Sequence, residues 1–532
     1  MQRRGIQFTH PWAFWAGCLL ITLGVLSHVP MFMMGEHTHW RLVGMPMTWE
    51  MWAGMALIPL GLGLSSHGLM PRERPVAGRA PAGALFHVAD GVGLNAEHWK
   101  LVVVLTVTLA IDVMKPATLG FVMPGMRGEY EITRPTASLL ALFALTGTTV
   151  GSVVWGRLGD LFGRRAAILL SALMFIGTAI CGAMPSFGWN LAMCFLMGAS
   201  AGGLLPIAFT LMAETVPARH RGWLLVALGG IGTSAGYLIA AGAAAWLEPL
   251  FSWRVLWLLG LPTGAIIIFL NRYIPESPRF LATMGRLAEA RRVLAQFAGR
   301  RGGVERDDEQ HPAPPVVDEQ HPVVGLRQLL RGRYAGITGA LLMCGTGWGL
   351  VNFGFLLWLP TNLRELGVDP AAASGLLAKS AVLALPGIAV VIALYQWWSS
   401  YKALVLFNAL TVLSLAAFVA LAFTGAPSAT ATAAATVMLL VSVSGVIAML
   451  IPYAAEIYPV HLRGSGSGVI AASSKFGGIL GAALALTGFF DHFALSAAVL
   501  AVPMLVSAVL LWVAGVETRG QGLEDIQRAV AG

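Results

Sequence analysis

In the stretch LAIDVMKPATLG, residues 109–120, a carboxylate and an ammonium interrupt an apolar run: Asp112 and Lys115 lie one helical turn apart, and Pro116 follows directly. A charge at bilayer depth costs on the order of 2.5–3.5 kcal/mol, so by default such residues mark a path for ions or polar solutes. Three positions apart on a helix, the two share a face and can partly compensate each other. Pro116 removes the N–H that would bond to the carbonyl of residue 112, which weakens and kinks the helix at the charged site itself. Interrupted helices expose free carbonyls near the midplane, where binding sites arise inside bilayers. The plainer alternative is a structural ion pair that holds the kink.

A second deep cation, Lys475, sits in ASSKFGG, although its neighbours Ser473, Ser474 and Gly477 equally suit close helix packing. Trp348 and Asn352, four apart, share a helical face and offer an aromatic wall and a hydrogen-bonding amide. Lys379 lies near the end of its apolar run, where a long side chain snorkels to the interface.

The elements that must position these groups are long apolar helices. The chain has 532 residues, of which 57% are hydrophobic and 11% charged. About 14 apolar runs of roughly 20 residues are long enough to cross a bilayer, so the fold class is an all-α polytopic membrane protein. With the N-terminus in the cytoplasm, most of the 34 Lys and Arg fall on the cytoplasmic side, which places both termini there. The formal charge of +8 is then topology and needs no nucleic-acid partner. Residues 11–34 follow Arg3 and Arg4 but run too long for a signal core and lack a clear small-residue cleavage site, which predicts a retained helix. Arg outnumbers Lys, and Ala and Gly abound, pointing to a GC-rich bacterial genome and an inner-membrane location. Cys18, Cys181, Cys194 and Cys344 are scattered, without disulfide or metal-ligand spacing, and read as packing residues. No catalytic triad, nucleotide loop or metal-hydrolase motif occurs, so neither an enzyme nor a cofactor or metal is expected.

An internal repeat organises the chain. ETVPARHRG (Glu214–Gly222) and EIYPVHLRG (Glu456–Gly464) share Glu, Pro, Arg and Gly at the same spacing, each after the fourth helix of a six-helix block. Pro217 and Pro459 stop a helix, while Arg221 and Arg463 anchor the cytoplasmic side. Such duplication, with a central site between pseudo-symmetric halves, is what many secondary transporters show. In GRLGDLFGRR (Gly156–Arg165) the glycines allow a tight turn and close helix approach, Asp160 favours the positive end of the following helix, and Arg164 and Arg165 face the cytoplasm.

GRLGDLFGRR resembles the major facilitator superfamily's signature between its second and third helices, and PESPR (Pro275–Arg279) resembles the sequence that closes its sixth. Within that superfamily, GASAGGLLPIAFTLMAE (198–214) and FLLWLPTNLRELG (355–367) look most like the metabolite:proton symporters, including aromatic-acid carriers, with sugar porters close behind. The resemblance covers roughly residues 100–515. It implies two six-helix halves, preceded here by two additional N-terminal transmembrane helices, and proton-coupled import by alternating access. Helices 1 and 11 reach the central cavity in the resembled fold, so Lys115 and Lys475 would attract an anionic substrate, a carboxylate, with Asp112 as proton carrier and Trp348 and Asn352 beside them. Gly156, Asp160, Arg164, Arg165, Glu214, Arg221, Glu456 and Arg463 would form a cytoplasmic gate. The partners implied are a small-molecule substrate, protons and the bilayer. Alternatives are a sugar or polyol:proton symporter, an exporter, or a non-transporting sensor on a carrier fold.

Beside the two helices before residue 70, which lie outside the twelve-helix pattern, two departures from the family stand out, and the halves differ from each other at one deep position. Cys194 occupies the place where related carriers have an Arg opening the fourth helix. The stretch QWWSSYKAL (396–404), the second-half counterpart of the Gly156 signature, lacks the Asp and the paired Arg, which predicts an asymmetric latch. Lys475 matches Thr233 in the repeat, so the halves have diverged there.

The remaining partition follows: residues 1–69 an N-terminal two-helix module, 70–99 a cytoplasmic linker, 100–274 and 334–515 the two halves, 275–333 the loop between them, and 516–532 a cytoplasmic tail. Leu287, Ala290, Leu294 and Phe297 fit one face of an interfacial helix. The tandem DEQHPAPPVV and DEQHPVV predicts disorder, and its His311 and His321 read as a duplication rather than a metal site. The Met- and His-rich external stretch at 28–51 offers donors for soft or harder metals, but it reads first as packing or an interfacial role.

Overall fold

The computed structural model describes residues 9–69, 93–284, 286–298, 334–365, 370–423, 429–458 and 460–519; the side chains of Gly156, Asp160, Glu214 and Arg463 are outside that description. The tandem His311/His321 segment and most of the 70–99 linker also fall outside it.

The regular structure among the described residues is all helical, with no strand. Backbone polar groups in lipid must be satisfied within their own segment, and a helix does this. Two helices, α1 (Pro11–Leu26) and α2 (Trp49–Leu69), come first. The first half follows as α3 (Ala96–Tyr130), α4 (Arg134–Phe162), α5 (Arg164–Gly177, tightening to 3₁₀ over Thr178–Ala183), α6 (Phe187–Ala201) with α7 (Leu204–Thr215), α8 (Ala218–Phe251) and α9 (Gly260–Leu270). A short helix α10 (Leu287–Phe297) precedes the second half. That half consists of α11 (Tyr334–Leu350), continued through a π-helical turn at Val351–Leu356 into α12 (Leu357–Glu365), then α13 (Pro370–Ala393), α14 (Ser400–Phe423), α15 (Ala429–Ile457), α16 (Val460–Leu486) and α17 (Phe493–Ala514).

Among the described residues, 11 helices are long and apolar enough to cross a membrane. Exposed tryptophans mark both ends of the bundle: Trp12, Trp99, Trp397 and Trp512 at the end that carries Arg164, Trp49 and Trp246 at the other. Amphipathic indoles favour such interfacial belts.

Small residues set the helix contacts, because close backbone approach drives association where no water is excluded. In the first half Gly147 and Gly151 of α4 meet the backbone of Phe195 and Ala199 in α6, while Gly198 and Gly202 return the contact to Ala144 and Thr148. In the second half Gly345 and Gly349 of α11 meet Ser473 and Ser474 of α16. The packing role expected for those serines is therefore occupied, and Lys475 lies between them and Gly477 on another face.

The N-terminal pair is sealed in the same way, Gly24 against Gly54 and Gly61 against Gly17. It rests on α5, where Ile58 abuts Gly177. Its connecting loop is clamped by a buried knot: Leu42 N–H donates to Glu129 Oε1 at 2.7 Å, and the Arg254 guanidinium pairs with the same carboxylate at 2.7 Å. Arg254 also donates to the Gly182 and Met184 carbonyls, and Trp253 Nε1 to Glu129 Oε2. Among the described residues no three His, Cys, Asp or Glu side chains gather as a metal site.

Helix α3 starts at a capping box, with Asn95 Oδ1 accepting from the Glu97 and His98 amides and Asn95 N–H donating to His98 Nδ1. Beneath this start lies α10, its Ala290, Leu294 and Phe297 buried, with Asn95 Nδ2 donating to the Phe297 carbonyl.

Candidate functional site

Asp112 and Lys115 leave α3 in different directions. Three residues advance a helix by about 300°, so neighbouring side chains on one face still diverge by about 60°. Lys115 points into its own half: Nζ donates to the Phe175 carbonyl and to Thr178 Oγ1, both at 2.7 Å, and lies 3.9 Å from the Phe175 ring centroid. The ammonium thus caps the C-terminal end of α5 where it tightens into 3₁₀ helix, where free carbonyls and the helix dipole favour a cation. Gly260 leaves it room, since a Cβ there would sit 2.8 Å from Nζ. The expected mutual compensation of Asp112 and Lys115 is corrected accordingly, because the hydrogen bonds of Lys115 go to α5.

The charge that acts on Asp112 comes from the other half. Asp112 is 4% exposed, its Oδ1 has no hydrogen bond among the described residues, and the charged group acting on it is Lys475 of α16. Lys475 is half-buried and feels Asp112 in return, yet among the described residues the two make no ion pair. A carboxylate from one half and an ammonium from the other therefore act on each other electrostatically, with no ion pair between them among the described residues. Thr233, the repeat counterpart of Lys475, has its hydroxyl tied to Gly229 O at 2.7 Å on its own helix.

Trp348 is buried with Nε1 donating to the Val443 carbonyl at 2.8 Å, so its N–H is spent joining α11 to α15 and only the ring remains to contact a ligand. Asn352 lies half-buried in the π-helical turn, a distortion frequent at functional sites. Tyr237 of α8 has a buried hydroxyl without a partner among the described residues, and nothing in its sequence context singled it out.

At the Arg164 end, the signature loop meets PESPR. Glu276 Oε1 accepts from Arg164 N–H at 2.7 Å, and Oε2 accepts from Arg165 N–H at 3.3 Å. Gly163, at φ +101°, makes the turn and leaves no space for a Cβ against this carboxylate. Glu276 thus holds the positive end of α5, the position expected for Asp160, whose side chain is outside the described residues. Burial pushes the Glu276 carboxyl up, and the amides of Ser277, Arg164 and Arg165 pull it back in part.

The second half repeats the device with different residues. Glu517 Oε1 accepts from Ser400 N–H at 3.0 Å and Ser400 Oγ at 2.8 Å, at the start of α14. Burial raises this carboxyl too, but hydrogen bonds from Ser399, Ser400 and Arg519 outweigh it and hold the group below the usual range. The asymmetry expected from residues 396–404 lies in the Asp and Arg positions, while a carboxylate on a helix start is present in both halves. VETRG (Val516–Gly520), closing the last helix as PESPR closes the sixth, carried the missed signal.

Glu456 Oε2 accepts from Tyr395 Oη at 2.8 Å and Thr518 Oγ1 at 2.6 Å, and its Oε1 approaches Gly222 of the first half. Arg221 Nη2 donates to the Val216 carbonyl at 3.4 Å. Here the halves touch across the repeat motifs themselves.

The profile of the Major Facilitator Superfamily matches residues 101–482. The niacin transporter NiaP of Acinetobacter baylyi is 27% identical over 82% of this chain and 98% of its own length. The 4-hydroxybenzoate transporter PcaK of Pseudomonas aeruginosa is 30% identical over 79% of this chain and 93% of its own. Among solved structures, the proton:xylose symporter XylE bound to 6-bromo-6-deoxy-D-glucose superposes with a TM-score of 0.64 at 18% identity, covering 82% of this chain and 99% of that one. At that identity the likeness concerns the fold.

Proposed function

Because the chain belongs to the major facilitator superfamily, we propose that it imports a small organic acid together with protons, by alternating access between halves at 100–274 and 334–515. That it is a multi-pass membrane transporter and not an enzyme follows from the family and its relatives. The substrate class is a small carboxylate, as on planar rings of the kind named for NiaP and PcaK. The membrane is the bacterial inner membrane, with both termini cytoplasmic by the cation bias.

The observation that carries this reading is the buried Asp112 carboxylate of one half, on which the Lys475 ammonium of the other half acts. Lys475 receives the substrate carboxylate and Asp112 carries the proton. An arriving anion takes over the field of Lys475, which favours protonation of Asp112, so the two ligands bind together. Trp348 offers its ring and Asn352 its amide. Lys115 ties α3 to α5 from behind. Asp160, Arg164, Arg165, Glu214, Arg221, Glu456 and Arg463, with Gly156 permitting close approach, act at the cytoplasmic gate.

The test is proteoliposomes with a trapped pH dye, offered nicotinate, 4-hydroxybenzoate or xylose, beside an Asp112→Asn control. Acid-specific proton uptake that the variant loses supports the reading. Xylose-driven flux replaces it with sugar symport, and no flux for any of the three counts against it in favour of export or a sensor role.

A further inference from the structure

At the end of the bundle opposite Arg164, an ion pair joins the two halves. Arg134, the first residue of α4, donates from Nη1 to Asp491 Oδ1 at 3.2 Å, and Asp491 lies in the short turn between α16 and α17. The guanidinium also sits 5.2 Å from the Trp358 ring on α12, and Trp358 stacks on Phe490 beside Asp491 at 6.5 Å between centroids. Next to this cluster, α3 and α12 touch at backbone distance, where Gly120 meets the Leu357 carbonyl.

We propose that Arg134, Asp491 and Trp358 form the gate that closes this end of the path between the halves. The inference rests on the alternating-access reading. Its particular content is which residues hold the end shut. The Arg134 side chain is 8% exposed and that of Asp491 45%. In the closed arrangement the ion pair to Asp491 and the contact with Trp358 hold this largely desolvated guanidinium against the other half. When the halves part, both contacts are lost and both groups meet water, so the pair favours the closed arrangement. The Arg254–Glu129 pair at the same end is more completely buried, but both residues belong to the first half and travel together. It braces, whereas Arg134–Asp491 must break each time this end opens.

The test uses the full chain, purified without substrate, carrying Glu131→Cys and His492→Cys as label sites; both positions are exposed at this end, one in each half. Distance distributions between spin labels are compared with and without Asp491→Asn. The expected result is a longer-distance population enriched roughly fivefold or more, with the closed distance restored by Arg134→Asp combined with Asp491→Arg. Trp358→Leu is expected to shift the population in the same direction. It serves as the second variant should the exchanged pair fail to fold. An unchanged distribution in both Asp491→Asn and Trp358→Leu overturns the gate. Because no substrate is present, a shifted distribution in a protein that moves no acid upholds the gate and sinks the carboxylate reading.

Discussion

Lys115 reaches from α3 to the Phe175 carbonyl, 2.7 Å away, at the point where α5 tightens from α to 3₁₀ helix. Its charge is spent within one half, while Asp112, a turn earlier, works toward the other. Two charges that look like one ion pair in the chain therefore have separate duties.

Replacing Lys115 with Met should cost about 1–3 kcal/mol of stability, since the Phe175 carbonyl and Thr178 hydroxyl lose a charged donor. In transport the maximal rate should fall with KM little changed. Gly260→Ala, which crowds the ammonium, should reproduce the rate defect. Thermal unfolding in detergent and initial-rate uptake measure the two effects; a KM rise as large as that of Lys475→Met would return Lys115 to the substrate.

Lys475→Met should raise KM for the acid by roughly 10- to 100-fold, the worth of a charge-assisted hydrogen bond. Asp112→Asn should abolish uphill accumulation and leave substrate exchange down its gradient. Counterflow beside pH-driven uptake separates the two, and undiminished accumulation in the Asp112 variant would sink its role as proton carrier.

Acidification should act oppositely on the two helix-start carboxylates. Glu517 is held below the usual glutamate value of about 4.3, so its contribution to stability is present above that value and lost as pH falls through the depressed one. Glu276 is pushed up by burial, so its contribution is present at acidic pH and diminishes as pH rises through the raised value. Amide exchange at Ser400 should therefore accelerate on acidification while that at Arg164 and Arg165, corrected for intrinsic rates, does not. Glu517→Gln should remove the response at Ser400.

Arg254→Met should be among the most damaging single changes at the Arg134 end, about 3–5 kcal/mol, because it leaves the Glu129 carboxylate buried and unpaired. Glu129→Gln should cost less and selectively free the loop over Leu42. Limited proteolysis between residues 36 and 48 checks this. Protection equal to the parent protein would mean that the loop is held by its aromatic contacts, Trp40 on Phe251 among them.

Much of the architecture was legible in the chain itself. Apolar runs of crossing length predict helices because a bilayer offers backbone groups no other partner. The duplicated ETVPARHRG and EIYPVHLRG marked two halves, and their contact at Gly222 and Glu456 is one place where those halves meet. The deep charges Asp112, Lys115 and Lys475 announced themselves by their cost. Local spacing does not state which neighbour a side chain reaches. Asp112 and Lys115 sit on one face by periodicity, but a divergence of about 60° sends them to different helices. Glu276 and Glu517 became equivalent only when each was seen on a helix start more than 100 residues earlier in the chain. Arg134 and Asp491 carry no motif at all; they are partners because α4 and the turn before α17 converge at one end of the bundle. Burial and period are properties of a segment and can be read from it, whereas the pairing of charges between segments is set by how the helices are arranged around one another.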